Sequence, residues 1–199
     1  MYITEDMVLR AAARYGSPAM ATFCVECSGH DFDYIRSTQK HNRAHDVTLY
    51  VVKGDRIVVN AKHFYPPGLY RAPSGGLEPA ESFEEGIARE LLEEVGCHAE
   101  IERFILISRV DFVRGGTGRL IPAESVDTQR ERIAWTTYVF QLHYVDGDFE
   151  FTDEREIRQV SLARFSDFAG YSEIMRRTSR GGFHYRAALH EAVAPLLCL

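Results

Sequence analysis

The sequence predicts an α/β (α+β) domain: a mixed β-sheet sandwiched between helices. Three observations carry that expectation. Segments with helical and strand periodicity alternate irregularly along the 199 residues. One pair of strands is joined by a tight turn at Gly54-Asp55, which makes an antiparallel hairpin. Several helices carry an apolar stripe on one side only, so each needs a surface to pack on. The expected organisation is an N-terminal extension over 1–45 (helix, strand, short helix) packed on a main domain over 46–199.

The elements follow in order. EDMVLRAAARY at 5–15 reads as a helix stopped by Gly16-Ser17-Pro18. Residues 19–27 read as a strand and 31–40 as a short helix. DVTLYVV at 46–52 and RIVVNAKHF at 56–64 are the two arms of the hairpin. YPPGLYRAPSGG is a loop rich in proline and glycine. A helix is expected over 82–95, and strands over 101–110 and 133–145. The long polar segment between those strands, 111–132, has the character of a functional or mobile loop. Residues 149–162 add further strand, and 183–197 form a closing helix with Ala187, Leu189, Ala192, Val193 and Leu196 on its apolar side.

Composition limits the function. Hydrophobic residues make up 45% and charged residues 26%, the balance of a soluble globular chain. No apolar run reaches the ~20 residues a bilayer span needs, and MYITEDMVLR is acidic where a signal peptide would be basic. No membrane association and a cytoplasmic location are the expectation. The net charge of −6 argues against a broad nucleic-acid surface. It leaves room for a phosphorylated small molecule, because a metal ion can bridge acidic side chains and phosphate oxygens.

The helix at 82–95 holds the most information. Ser82 with Glu85 three residues later forms a capping box, and Gly96 stands where a helix stop favours glycine. At about 100° per residue, with Glu90 at zero, Glu94 lies near 40° and Glu93 near 300°. Ala88, Leu91, Leu92 and Val95 fall between roughly 100° and 200°, the arc expected to pack on the sheet. Glu90 and Glu94 are one turn apart and repel, with Arg89 close by to offset them. Carboxylates gathered this way after a tight Gly75-Gly76 loop suit a hard dication, Mg²⁺ or Mn²⁺.

The stretch GGLEPAESFEEGIARELLEEVGC resembles the Nudix hydrolase signature. Gly75, Glu81, Arg89, Glu90, Glu93, Glu94 and Gly96 are seven fixed identities at the family's spacing. Leu91 fills an aliphatic position, and Cys97 replaces the final aliphatic residue. The strand order from about residue 46 to 165 is also similar to that family. The resemblance implies hydrolysis of a nucleoside diphosphate linked to another moiety. It implies Glu90, Glu93 and Glu94 as ligands of the divalent metal, with Gly75 able to lend its carbonyl. Arg89 would hold the glutamates by charge-assisted hydrogen bonds; Glu81 and Gly76 would support the loop. Bound cations would screen the diphosphate from the attacking water, and a glutamate would take that water's proton. Glu90 is one candidate base. Glu154 and Glu156 of TDEREIRQV are the others, Glu154 ranked ahead, and either could add a metal ligand.

For the substrate, KHFYPPGLYRAPSG resembles the approach to the signature in ADP-sugar pyrophosphatases through Pro73-Ser74-Gly75, although Arg71 stands where those enzymes often have glutamate. An ADP-sugar-like substrate is the favoured expectation. A nucleoside triphosphate is the alternative, and a non-catalytic nucleotide-binding regulator, which would be expected to lose signature glutamates, ranks third. Arg71, Tyr70 and Arg132 are candidate substrate contacts. Tyr65, Phe64 and Trp135 could stack on a base, and Arg114, Arg119 and Arg130 could grip phosphate. The family also implies a homodimer as a partner state.

Cys24, Cys27, His41 and His45 have zinc-finger spacing. Structural Zn²⁺ is not the favoured reading: no glycine follows Cys27, Phe32 and Ile35 between the pairs read as core, and His45 runs straight into a strand.

Overall fold

The computed structural model describes residues 2–39, 42–127 and 129–198. Helix α1 (Glu5–Tyr15) starts at Thr4, whose side chain accepts from the Met7 amide. Strand β1 (Ala19–Cys27) leads into α2 (Gly29–Ser37), capped by Ser28. The hairpin is formed by β2 (His45–Lys53) and β3 (Arg56–Lys62). A two-residue strand β4 (Ser74–Gly75), which periodicity is too short to reveal, precedes α3 (Phe83–Glu94). Strands β5 (Cys97–Arg114) and β6 (Arg132–Gly147) are longer at both ends than expected. Of the anticipated 149–162 strand only the end survives, as β7 (Ile157–Ala163). The closing helix is α5 (Gly181–Val193), and a helix that was not expected, α4 (Asp167–Arg176), precedes it across 177–180.

The strands build one seven-stranded sheet in the order β1-β5-β6-β2-β3-β7, with β4 beside β2. Strand β1 runs parallel to β5, and β2 parallel to β6. The pairs β5–β6, β2–β3 and β3–β7 are antiparallel. The sheet is therefore mixed, as predicted. The N-terminal segment does more than pack on it, since β1 forms an edge strand in register with Leu106–Arg114.

Period-2 alternation divides the core between the two faces. Val47, Leu49 and Val51 of β2 point to the side covered by α1 and α3, where they meet Ile87 and Leu91. Tyr50 of the same strand points the other way, to the face covered by α2, α4 and α5, among Phe32, Phe168 and Leu189. Helices lie on both faces, and the cavity described next opens where β2, β3, α3 and the start of α5 meet. Among the described residues no helix is long and apolar enough to cross a membrane.

Candidate active site

Helix α3 is fixed at its start by the expected capping box. The Ser82 hydroxyl accepts from the Glu85 amide at 3.2 Å, and the Glu85 carboxylate accepts from the Ser82 amide at 2.9 Å. Its end is fixed by Gly96, at φ +69, whose amide reaches back to the Leu91 carbonyl at 2.9 Å. Between those stops the helix is rolled differently from the simple wheel. Ala88 and Leu92 are exposed; the buried side chains are Phe83, Ile87, Leu91 and Glu94. The inward arc is centred nearer Ile87 and Leu91, so a carboxylate, Glu94, lies within it. The roll is tolerated because polar side chains from β3 meet that carboxylate.

Arg89 is the hub of the loop-helix junction. Its Nε and Nη2 grip both oxygens of Glu81 at 2.7 and 2.9 Å. Nη2 also donates to the Gly76 carbonyl at 2.9 Å. Nη1 donates to Glu90 at 3.0 Å and to Glu93 at 3.2 Å. This two-pronged, fully charged geometry is what a guanidinium offers and an ammonium does not. The Gly76 amide completes the contact by donating to Glu90 Oε1 at 3.1 Å. Gly75 packs so closely on Glu90 that a Cβ there would fall inside the carboxylate. The glycine is required by this close approach.

Glu94 is held from the other side. Lys62 Nζ donates to its Oε1 at 2.9 Å, and Asn60 Nδ2 to its Oε2 at 3.0 Å. Lys62 also pairs with Glu156. The turn carrying Glu156 is docked on α3, since the amides of Thr152 and Asp153 both donate to the Glu93 carbonyl, at 3.0 and 2.9 Å.

These groups form one wall of a cavity of about 450 Å³. Glu90, Glu93, Glu94, Arg89, Gly75, Gly76 and Arg71 all line it, and Glu81 sits behind Arg89. Three expectations are corrected. Glu154 does not line the cavity; its side chain lies with Arg155 at a separate recess beside Glu93, and the cavity takes Asp153 and Glu156 instead. The docked turn places Asp153 against Glu93 of α3 and Glu156 against Lys62 of β3. Tyr70 is also outside the cavity, tied to Gln159 at 2.7 Å. Arg132, the first residue of β6, is not among the cavity residues, and its guanidinium is near Asp111, 3.9 Å away. Its loop neighbours are likewise engaged elsewhere: Arg114 pairs with Asp33 and Glu131, and Arg130 with Glu26.

Sequence reasoning missed the groups that face the carboxylates. Lys62, Arg43, Arg180 and Arg186 line the cavity. No local pattern marks them; they arrive from three segments that meet only in the folded chain. Arg186, partly buried, pairs with the buried Asp46, which also accepts from Trp135 at 2.9 Å and Thr137 at 2.6 Å. Arg71 is buried at 7% exposure. Its Nε donates to the Tyr65 hydroxyl, its Nη1 has no partner, and no carboxylate pairs with it among the described residues. Phe64 is 44% exposed on the rim, stacked on Phe183, with the Arg180 guanidinium over both rings.

Of the zinc-finger residues, His41 lies outside the described residues. Cys24 packs with Val113 and Val126, whereas Cys27 belongs to the core of α2 and α5 on the opposite side of β1. His45 is edge-on to Tyr2 at 5.1 Å. Strand alternation thus sends the two thiols apart.

The donors around Glu90 are all oxygens, the set a hard dication takes. The Glu90 carboxyl is pushed up from an ordinary 4.5 to about 7, chiefly by burial and then by Glu94, against the pull of Arg89. The carboxylates therefore fit a divalent ion in their chemistry. As arranged, no three of the described acidic, cysteine or histidine side chains converge on one point, because each carboxylate is turned toward a protein cation.

A raised folded value means that the folded protein holds this proton more tightly than the unfolded chain does. That stabilisation is complete below about 4.5 and is lost as pH rises through about 7. It is worth on the order of 2–4 kcal/mol. In metal-free buffer the urea midpoint is expected to fall between about pH 5 and pH 7.5. Glu90→Gln should flatten that fall; parallel curves for the two proteins would refute the assignment.

Comparison with known proteins gives the following matches. The family model described as NUDIX domain matches residues 40–181. A curated relative, the NAD-capped RNA hydrolase NudC of Stutzerimonas stutzeri (strain A1501), is 29% identical over 93 residues. That match covers 47% of this chain and 30% of the relative. A NUDIX hydrolase from Nitrosomonas europaea superposes with a TM-score of 0.51 at 17% identity, covering 79% of this chain and 93% of that one. A UDP-X diphosphatase structure gives a TM-score of 0.46 at 18% identity, covering 80% and 72%.

Proposed function

The chain belongs to the NUDIX family of hydrolases, and from that premise we propose that it cleaves, with a divalent metal, the diphosphate of a nucleoside diphosphate linked to a further moiety, an ADP-sugar-like molecule first among them. The observation that carries this reading is the carboxylate wall of the cavity: Glu90, Glu93 and Glu94 side by side, tied through Arg89 to Glu81 and Gly76.

Glu90, Glu93 and Glu94 would hold Mg²⁺ or Mn²⁺, with the Gly75 carbonyl as a further oxygen. When bound, the ion supplies the positive charge that offsets the diphosphate and the charge developing on it. The other roles belong to the chain's own side chains. Arg89 keeps Glu90 and Glu93 at the cavity wall. Glu90, at the cavity wall, is the candidate to take the proton of the attacking water. Arg71 binds a phosphate oxygen. A buried guanidinium without a counter-ion is costly, and an anionic substrate would remove that cost. Phe64, exposed at the rim beside Arg180, offers a face for a base.

The relative named for NAD-capped RNA supports a diphosphate that joins a nucleoside to something else. A nucleoside triphosphate remains the second reading, since the same carboxylates and Arg71 would serve it. The purified protein with Mg²⁺ or Mn²⁺ should convert ADP-sugars to AMP and a sugar phosphate, identified by mass. Pyrophosphate released from triphosphates would move the assignment to the second reading. No turnover across a broad nucleotide panel would leave a nucleotide-binding regulator.

A further inference from the structure

Lys62 stands apart from the signature, yet it sits at the centre of the carboxylate wall. Its side chain is 10% exposed and that of its partner Glu94 is 7% exposed. Both line the cavity, whereas Asn60, on the other oxygen of Glu94, does not. One of the two Glu94 oxygens open to an ion entering from the cavity is already bonded to the Lys62 ammonium, at 2.9 Å. The same ammonium reaches Glu156 across the cavity wall. Glu90 and Glu93 show the same pattern with Arg89, but Arg89 is anchored by Glu81 and the Gly76 carbonyl. Among the described residues no such anchor holds the Lys62 ammonium: Glu94 and Glu156 are its partners there, and a lysine's flexible stem lets it move.

We propose that Lys62 is the resident cation of this site: in the metal-free protein its ammonium neutralises Glu94, and it must cede that carboxylate, keeping Glu156, before a divalent ion can bind. The inference rests on the metal-binding reading above. Two cations cannot share one carboxylate oxygen without strong repulsion, so Lys62 weakens metal binding. Without metal it spares the fold a buried, uncompensated carboxylate. Once displaced, the ammonium faces the cavity as a further positive charge for a phosphate.

Mn²⁺ titration of the full chain, followed by the EPR signal of the free ion, tests this. Wild type should bind Mn²⁺ saturably. Lys62→Gln should bind it at least about tenfold more tightly, equivalent to ~1.4 kcal/mol. Lys62→Arg, which keeps the charge, should stay close to wild type. Thermal melting supplies a second measurement: Lys62→Gln should be less stable than wild type without metal and gain more from Mn²⁺. A Lys62→Gln protein that binds Mn²⁺ no more tightly than wild type overturns the proposal. So does one that is unfolded without metal and that Mn²⁺ fails to fold, because Lys62 would then be irreplaceable. If wild type itself binds no Mn²⁺, the metal-binding reading fails first, a result distinct from either.

Discussion

Glu94→Gln is expected to lower turnover by on the order of 10³-fold while the protein stays folded, the scale of losing one preorganised electrostatic group. The side chain is buried, meets Lys62 and Asn60, and lines the cavity beside Glu90. Glutamine preserves the shape and can still accept from Lys62, so the packing of α3 should survive. What disappears is the charge that would hold a dication. Turnover at saturating substrate and metal, measured beside a melting curve, separates the effects. Near-normal turnover, or collapse of the fold, would count against the assigned role.

Asp46→Ala should have the largest effect on stability, a loss of about 3–5 kcal/mol. Burial alone would push the Asp46 carboxyl up, but Arg186, with Thr137 and Trp135 donating to it, holds it below the usual carboxylate range. Removing the carboxylate leaves the Arg186 guanidinium charged and largely covered, with the Thr48 hydroxyl at 2.8 Å and the Tyr185 ring as remaining contacts among the described residues. It also strands the Trp135 and Thr137 donors. The urea midpoint should fall with an unchanged slope. Adding Arg186→Met should recover part of the loss, since an apolar pair avoids the stranded charge. A double variant no better than the single one would show that the ion pair is not the source.

Local signals in the sequence were enough for much of the fold. The capping box, the stop at Gly96, the Gly54-Asp55 turn and strand β1 each depend on a few adjacent residues, and each is present where expected. The carboxylate trio with Arg89 was legible because helical spacing alone brings it together. What the sequence hid was decided by distant contacts. Glu94 turned inward because Asn60 and Lys62, more than thirty positions away, were there to meet it. Glu156 reached the cavity ahead of Glu154 because backbone bonds to the Glu93 carbonyl set the turn. The apolar residues of 183–197 suggested a helix that is present as α5, but α4 ahead of it was missed, and with it the turn at 177–180 that brings Arg180 to the cavity. Arg114, Arg130 and Arg132 had carboxylates of their own to satisfy, which no spacing rule could reveal.

The edge strand β1 and the helix after it have a consequence for where the working unit starts. The family's matched span begins at residue 40, yet Asp31 and Tyr34 line the cavity and Val25, Cys27 and Phe32 are fully covered core. A chain trimmed to the matched span would bare the flank of β5 from Leu106 to Arg114 and open the cavity on that side. The cavity and the segment ahead of the matched span are thus built on one continuous sheet.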